Sequence, residues 1–385
     1  MIRYSKRLDW DLGANALARA LAARRDPYID LSEANPTRAG LIPDLDVGVL
    51  ANPRALRYEP HPKGALPARE AVAAYYGESR GAAVDAERVV LTASTSEAYA
   101  LLFKLLCDPG DSVLVPEPSY PLFGYLTALE SVRAVPYALR WDGEWHLDAE
   151  AVLAAIGPTT RAIVIVSPGN PTGAYLKQSE LSALHAACER AGCALICDEV
   201  FADFPREPDP RRVATTAGHE SLLTFTLSGL SKVCGLPQLK LGWCVVSGPR
   251  DDVAGALSRL ELVADSYLSV STPVQLAAPA LLALRQSFQR RVLGRIEANL
   301  FALAHARGPE ASWNILPAEA GWSAILAVPS ARSEEEWALR LLDAGVLVQP
   351  GYFYDFPEGS HLVLSLLPPE REFARAAEIL ARTLA

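Results

Sequence analysis

The segment SGLSKVCGLPQLKLGW, residues 228–243, holds two lysines eight residues apart among side chains that carry no other charge. Lys232 follows an apolar run and a Ser-Gly-Leu-Ser turn. A lysine in a dry pocket has a lowered pKa and becomes nucleophilic toward carbonyls, which is the requirement for a Schiff base. Alternatively, Lys232 is an exposed loop lysine. The segment therefore makes Lys232 a candidate for covalent chemistry with an aldehyde or ketone.

Three further side chains with chemical potential follow apolar runs. Asn170 is the only side-chain amide of SPGNPTG and could donate to a ligand oxygen, although asparagine is also common in turns. Asp198 ends the run CALICD, where a carboxylate that has lost water needs a cation or a donor. A helix cap or a structural ion pair would also explain Asp198. The ring of Tyr120 could cover a flat ligand, or it could pack at an ordinary interface.

The segment TASTSEAYALLFKLL, residues 92–106, predicts a helix that could bind a phosphate. Ser94 and Glu97 fit the S-x-x-E capping box that precedes an apolar helix. The free N–H groups of Thr95 and Ser96 would then face an anion at the positive end of the helix. Many helices begin in this way, so this pattern gains weight only beside the others.

The elements around these residues predict an α/β fold. Apolar runs that alternate with helical patterns indicate a mostly parallel sheet covered by helices on both faces, whose ligands collect at the carboxyl ends of the strands. Beyond about residue 265, a helical stretch at 273–306 and short strands around another helix indicate a smaller α+β domain. We therefore expect a large domain at 46–264 and a small domain formed by 1–45 with 265–385. The predicted strands lie in 112–118, 161–173, 193–201, 221–229 and 241–248, with a helix at 179–192 and another near 333–344.

Composition excludes several classes of function. The chain has 385 residues and a net charge of −9, which argues against nonspecific binding to nucleic acid or to an anionic membrane. No apolar run is long enough to span a bilayer, no secretory signal is visible, and no G-x-G-x-x-G follows a strand as in nucleotide-binding oxidoreductases. Scattered cysteines without a CxxC pair predict a reduced, cytoplasmic protein with no metal site. They are Cys107, Cys188, Cys193, Cys197, Cys234 and Cys244.

The order and spacing of SPGNPTG, CDEVF and SGLSK resemble the fold-type I enzymes that use pyridoxal 5′-phosphate, and more narrowly the class I/II aminotransferases. The resemblance extends from LSEANPTRAGL near the start to GVLVQPGYFYDF near the end. It implies the fold of pyridoxal-phosphate-dependent transferases. It also implies pyridoxal phosphate as cofactor, an obligate homodimer, and transfer of an amino group from an amino acid or amine to a 2-oxo acid.

The resemblance also implies roles for individual residues. Lys232 would form the Schiff base with the cofactor and then carry a proton during transfer. Asp198 would pair with the protonated pyridine nitrogen, which keeps the ring an electron sink. Asn170 would bond the phenolic oxygen, and Tyr120 would stack on the ring. Implied cofactor contacts from the rest of the chain are Ser94, Thr95, Ser96, Ser231 and Lys240, with Tyr58 and Ser271 reaching the neighbouring subunit.

Three positions depart from the family pattern. Lys240 replaces the usual phosphate arginine, so the charge survives without the bidentate fork. Phe201 replaces a tyrosine, which removes a second hydrogen bond to the phenolic oxygen and raises the expected pKa of the Schiff base. Val363, in HLVLSLLPP, replaces the arginine that clamps the substrate carboxylate. We therefore expect an amino donor other than an ordinary dicarboxylic amino acid. The candidate substrate residues are Arg38, which is otherwise a surface arginine, His361 and Trp322.

Two alternatives share the same scaffold. Loss of the carboxylate arginine allows a lyase, a decarboxylase or a racemase, because the orientation of the bonds at the substrate Cα decides which bond breaks. Some relatives instead serve as effector-sensing domains of transcription regulators. The acidic charge, and a chain that begins almost directly with the aminotransferase pattern, argue against that second alternative.

Overall fold

The computed structural model describes residues 2–385 and contains a large mixed sheet, a small antiparallel sheet and surrounding helices. The strands are β1 (Ile29–Asp30), β2 (Val89–Thr92), β3 (Ser112–Glu117), β4 (Arg133–Trp141), β5 (Trp145–Leu147), β6 (Thr160–Val166), β7 (Ala194–Asp198), β8 (Thr224–Gly229), β9 (Gly242–Ser247), β10 (Asn314–Leu316), β11 (Ser323–Ala327), β12 (Val346–Leu347), β13 (Gln349–Pro350) and β14 (His361–Ser365).

The helices cover both faces of the large sheet and most of the small one. They are α1 (Ala16–Ala23), α2 (Leu66–Arg80), α3 (Thr95–Leu106), α4 (Phe123–Leu129), α5 (Ala149–Ala155), α6 (Gln178–Ala191), α7 (Leu230–Val233), α8 (Arg250–Asp265), α9 (Thr272–Ala283), α10 (Arg285–Arg307), α11 (Glu334–Asp343) and α12 (Glu370–Leu384). No helix in residues 2–385 has both the length and the apolar character needed to cross a membrane.

The large sheet has eight strands in the order β2-β9-β8-β7-β6-β3-β4-β5. The five strands from β8 to β4 run parallel, whereas β2, β9 and β5 pair antiparallel with their neighbours. Alternate residues of each strand face opposite helix layers, as the two-residue period of a strand requires. In β6, Ala162 and Val164 pack toward α3 and α8, while Ile163 and Ile165 pack toward α6. The predicted fold class is therefore confirmed.

The small sheet joins β10, β11, β14 and β13 in antiparallel order. It packs on α10, α11 and α12 in one apolar core, which also takes in Leu31 and Leu41 from the N-terminal segment. Strand β1 pairs with β12, so the first part of the chain joins the last part. This arrangement agrees with a small domain built from both ends of the chain, although the exact boundaries at 45/46 and 264/265 stay a prediction.

Two local predictions need correction. The helical stretch expected at 273–306 is two helices, α9 and α10, which are separated at Leu284. The capping box at α3 is only half formed. Ser94 Oγ accepts from the Glu97 N–H at 3.1 Å, but the Glu97 carboxylate bonds the N–H of Ala93 at 2.5 Å and not that of Ser94. Because the Glu97 carboxylate bonds the N–H of Ala93, the N–H of Ser94 stays free. The start of α3 therefore presents more donors than it would with a complete capping box.

Gly235, in the loop between Lys232 and Lys240, offers a test of the packing beneath this segment. Its φ is +67°, and a Cβ there would overlap the buried ring of Phe288 in α10. We expect Gly235→Ala to lower the free energy of unfolding by about 1–3 kcal/mol, through strain and overpacking. The measurement is the urea-denaturation midpoint. The control is Gly294→Ala, a helical glycine whose added Cβ would meet open space. Equal midpoints for the two variants would contradict the prediction.

Candidate active site

A cavity of about 460 Å³ opens at the carboxyl ends of the parallel strands, against the small sheet. Its wall contains polar side chains from β7, from the start of α3 and from the loops that follow β3, β6 and β8. Most of the residues singled out from the sequence line this one cavity. They are Ser94, Thr95, Ser96, Tyr120, Asn170, Asp198, Phe201, Ser231, Lys232, Lys240 and Trp322.

Lys232 lies in α7, a four-residue helix that follows β8 where the sequence predicted a turn. Its Nζ lies 5.2 Å from the ring centroid of Trp322 and 5.7 Å from that of Phe201. Burial lowers the pKa of the Lys232 amine, and the carboxylate of Asp198 opposes part of that shift. The amine therefore has a larger neutral, nucleophilic fraction than an exposed lysine, as Schiff-base chemistry requires.

Asp198 ends β7 and is buried, which raises the pKa of its carboxyl to about 6. Two donors counter the cost of burial: the Val200 N–H at 3.1 Å and the Tyr99 hydroxyl at 3.2 Å, both on oxygens of Asp198. The carboxyl remains poorly solvated and would be stabilised by a cation in the cavity. Tyr99 was not predicted. Its place one turn into α3, facing β7, becomes visible only when the sheet is assembled.

The start of α3 presents unpaired N–H groups to the cavity. The Thr95 and Ser96 amides occupy the first turn, where no carbonyl of α3 can reach them. Gly242 allows the backbones to approach, because a Cβ there would come within 3.0 Å of the Ser94 carbonyl carbon. Lys240 also lines the cavity, with a left-handed φ of +51° that is uncommon outside glycine. This corner suits a phosphate group.

Aromatic and amide side chains line the space between Lys232 and Asp198. Trp322 and Phe201 pack edge to face with 5.4 Å between ring centroids, and Tyr120 is partly exposed. Burial, and then the charge of Asp198, raise the pKa of the Tyr120 hydroxyl. Asn170 presents its amide to the cavity with no partner elsewhere in residues 2–385. These walls fit a flat ring that carries polar substituents.

Four predicted contacts do not line the cavity: Arg38, His361, Tyr58 and Ser271, which directly precedes α9. Arg38 is largely exposed and bonds Glu33 at 2.8 Å. His361 stacks on Phe356 at 4.4 Å between centroids, and burial lowers the pKa of its imidazole to about 4. The structure therefore does not bring either predicted substrate residue to the cavity. Tyr58 is 81 % exposed at a separate surface cleft.

The surroundings of Val363, which stands where the family pattern has an arginine, are mostly apolar. Val363 is buried between Trp145, Ile325 and Tyr354. Beside it, several cavity residues were not predicted from the sequence. They lie on short strands and loops whose motifs were noted without assigning these residues a role, and they are Ser32, Ser323, Gln349, Tyr354 and Ser365.

Outside the cavity, Glu144, Asp209 and Glu319 form an acidic group. Lys177 and Arg212 both bond Glu319, and Arg211 bridges Glu144 and Asp209. The cluster is therefore a network of ion pairs between loops, and its carboxylates are already compensated.

The chemistry of the cavity fits pyridoxal phosphate. Unpaired amides and Lys240 match its phosphate, the buried Asp198 matches a cationic ring nitrogen, and Lys232 matches its aldehyde. Gly242 fits this arrangement because the absence of a Cβ lets the start of α3 approach β9 closely.

Fold and site together describe an α/β protein with a buried lysine of lowered pKa in a cavity at the strand ends. Residues 12–379 match the family model "Aminotransferase class I and II". The chain belongs to this family and is an aminotransferase.

Proteins with similar sequences or folds include aminotransferases. The chain is 30 % identical to the glutamate-pyruvate aminotransferase AlaA of Escherichia coli (strain K12) over 273 residues. The aligned region covers 70 % of this chain and 67 % of AlaA. It is 28 % identical to an alanine aminotransferase of Mycobacterium bovis, over 95 % of this chain and 88 % of that protein. Its fold superposes on a crystal structure of an aminotransferase from Escherichia coli with a TM-score of 0.86, at 25 % identity, over 100 % and 98 % of the two chains.

The raised pKa of Asp198 predicts a pH-dependent stability of the cofactor-free protein. The unfolded carboxyl ionises near pH 3.8 and the folded one near pH 6. The folded state therefore binds more protons between these values, and its stability falls by about 3 kcal/mol as pH rises through them. We expect Asp198→Asn to lack this loss. Its free energy of unfolding should therefore rise relative to that of the wild type between pH 4 and 7. Urea titrations at several pH values measure the difference. Parallel pH profiles would refute the assigned pKa.

Proposed function

We propose that this aminotransferase uses pyridoxal 5′-phosphate bound in the cavity described above, and that it transfers an amino group from an amino acid or amine to a 2-oxo acid. The observation that carries the proposal is the meeting of Lys232 and Asp198 in one cavity beside unpaired helix amides. Bound there, the cofactor supplies an aldehyde for covalent attachment and a ring that withdraws electrons from the substrate Cα.

The residues of the chain would divide the remaining tasks. Lys232, with its lowered pKa, attaches the cofactor and then moves the proton between substrate and cofactor carbons. Asp198, ionised near neutral pH, holds a proton on the ring nitrogen. Asn170 donates to the phenolic oxygen, and Tyr120 covers the ring. Thr95, Ser96 and Lys240 hold the phosphate, with Ser94 and Ser231 beside them.

We further propose that the enzyme is a cytoplasmic homodimer. Large apolar side chains are exposed in residues 42–66, including Leu56 at 90 % and Tyr58 at 81 %. Exposed apolar surface of this kind marks protein interfaces. A second copy seated there would cover Tyr58 and bring it to the phosphate of the neighbouring subunit, as the resemblance implies. Six free cysteines support a reducing compartment.

The two cavity lysines give the sharpest test of the cofactor. We expect borohydride reduction to fix the cofactor to Lys232, located by mass spectrometry of the peptide that contains it. Lys232→Ala should show no attachment and lose amino transfer by at least about 100-fold. Lys240→Ala is the matched control: attachment persists, while cofactor affinity falls about tenfold or more because a phosphate contact is lost. Attachment at another lysine, or none in the wild type, would overturn the proposal. Product analysis with a 2-oxo acid separates amino transfer from elimination, decarboxylation or racemisation.

The dimer has its own test. Light scattering after size exclusion should give twice the chain mass for the wild type. Leu56→Asp should shift the protein toward the monomer, because the charge would be desolvated at the interface. The control is Phe301→Asp, a similarly exposed apolar residue on α10. A monomeric wild type, or a Leu56→Asp variant that remains fully dimeric, would contradict the proposed interface.

A further inference from the structure

The positive charges of the cavity are few and lie at the cofactor side. Among residues 2–385, Lys232 and Lys240 are the lysines or arginines that line it. The proposed function, on which this inference rests, assigns the first to the cofactor aldehyde and the second to the phosphate. Arg38 is ion-paired with Glu33 outside the cavity. Within the described residues of one chain, therefore, no guanidinium lines the cavity.

The wall formed by the small sheet is polar but neutral. Neighbouring strands place Ser323 of β11 opposite Ser365 of β14, and Gln349 of β13 opposite Val363 of β14. Ser323, Gln349 and Ser365 all line the cavity. The residue before Ser323 is Trp322, whose ring centroid lies 5.2 Å from Lys232 Nζ. The neutral wall and the amine of Lys232 therefore line the same cavity.

Gln349 is held in one orientation by Tyr354. The Tyr354 hydroxyl donates to Gln349 Oε1 at 2.5 Å, and burial raises the pKa of that hydroxyl, so it keeps its proton. Because the oxygen of the amide is occupied, its Nε2 remains as a donor toward the cavity. The carbonyl of Tyr354 accepts from the Ser119 N–H at 3.0 Å, which ties this pair to the loop that carries Tyr120.

Ser365 adds a second neutral donor. Its Oγ accepts from the Leu367 N–H at 3.2 Å, which leaves the hydroxyl proton for a ligand. Behind these groups, Val363 is packed among Trp145 and Ile325 and offers no polar atom. The wall can thus donate hydrogen bonds to an oxygen but cannot neutralise a negative charge.

We propose that Gln349, oriented by Tyr354, recognises a neutral oxygen on the amino donor, so that the preferred donors are amino amides or amino alcohols. Neutral donors compensate the desolvation of a carbonyl or hydroxyl oxygen. A carboxylate at the same place, on a donor or on a 2-oxo acid acceptor, would gain hydrogen bonds but no counter-charge from this wall and would bind more weakly than a neutral group. Gln349 is thus a specificity-determining residue beside the position where the sequence resemblance implies an arginine.

Three matched ligands test this proposal by binding, without turnover. They are 2-aminoisobutyrate, its carboxamide and 2-amino-2-methylpropan-1-ol, which share an amine and two methyl groups but lack the Cα hydrogen that transfer requires. Dissociation constants come from the visible absorbance of the cofactor-loaded enzyme, corrected for the unprotonated amine fraction of each ligand. We expect the amide and the alcohol to bind at least about tenfold more tightly than the carboxylate.

Variants of Gln349 connect the preference to this residue. Gln349→Leu should weaken the two neutral ligands about tenfold and leave the carboxylate little changed, because one hydrogen bond is lost. Gln349→Arg should reverse the order of affinities by supplying a guanidinium. Gln286→Leu, the same change at an exposed position of α10, should bind all three ligands as the wild type does. The absorbance of the loaded cofactor and its reductive fixation on Lys232 verify folding in each variant.

The outcomes separate this inference from the function on which it rests. A loaded enzyme that binds the carboxylate as tightly as the neutral ligands would overturn the inference alone. The same holds for Gln349→Leu with unchanged relative affinities. Failure of the cofactor to attach to Lys232 would overturn the proposed function, and the inference with it.

Discussion

The structure depends on two ionisable groups that share one poorly solvated cavity. Burial raises the pKa of Asp198 to about 6 and lowers that of Lys232, so each group is held away from its ordinary charge state. Neither shift benefits the folded protein alone. In the proposed function, both would become useful when a cationic ring nitrogen meets the carboxylate and an aldehyde meets the amine. The cavity would then lose stability as an empty site and gain affinity and reactivity toward the proposed cofactor.

The architecture explains how such groups are brought together. Parallel strands end at one edge, so Asp198 at the end of β7 and Lys232 just after β8 become neighbours although 34 residues separate them. Gly242 lets β9 approach the start of α3 closely, which positions the unpaired amides of that helix. The small sheet then closes the cavity with Trp322 and Gln349. The strand ends would thus supply the covalent and the acidic group, the start of α3 the amides for a phosphate, and the small sheet the neutral donors.

The proposed substrate preference depends on the surroundings of one position, Val363. Val363 is buried among apolar neighbours, opposite Gln349 on the adjacent strand and in one cluster with Tyr354. Alanine and glutamate-pyruvate aminotransferases are among the similar proteins, yet similarity at 28–30 % identity leaves room for a different donor. In these proposals, specificity would depend on a few side chains of the small sheet, whereas cofactor binding would depend on residues at the strand ends.

The sequence alone determined the fold class and the family, and it pointed to most of the residues that share the cavity, because SPGNPTG, CDEVF and SGLSK are contiguous motifs at predicted strand ends. It did not reveal Tyr99, Gln349, Tyr354 or Ser365, and it favoured Arg38 and His361, which lie outside the cavity. The physical reason is that motifs at the ends of parallel strands meet at the same edge of the sheet, so their positions follow from the predicted fold. Contacts such as Tyr99 with Asp198, or Tyr354 with Gln349, depend on how separate elements pack. Only the tertiary structure decided which neutral donors stand beside Val363.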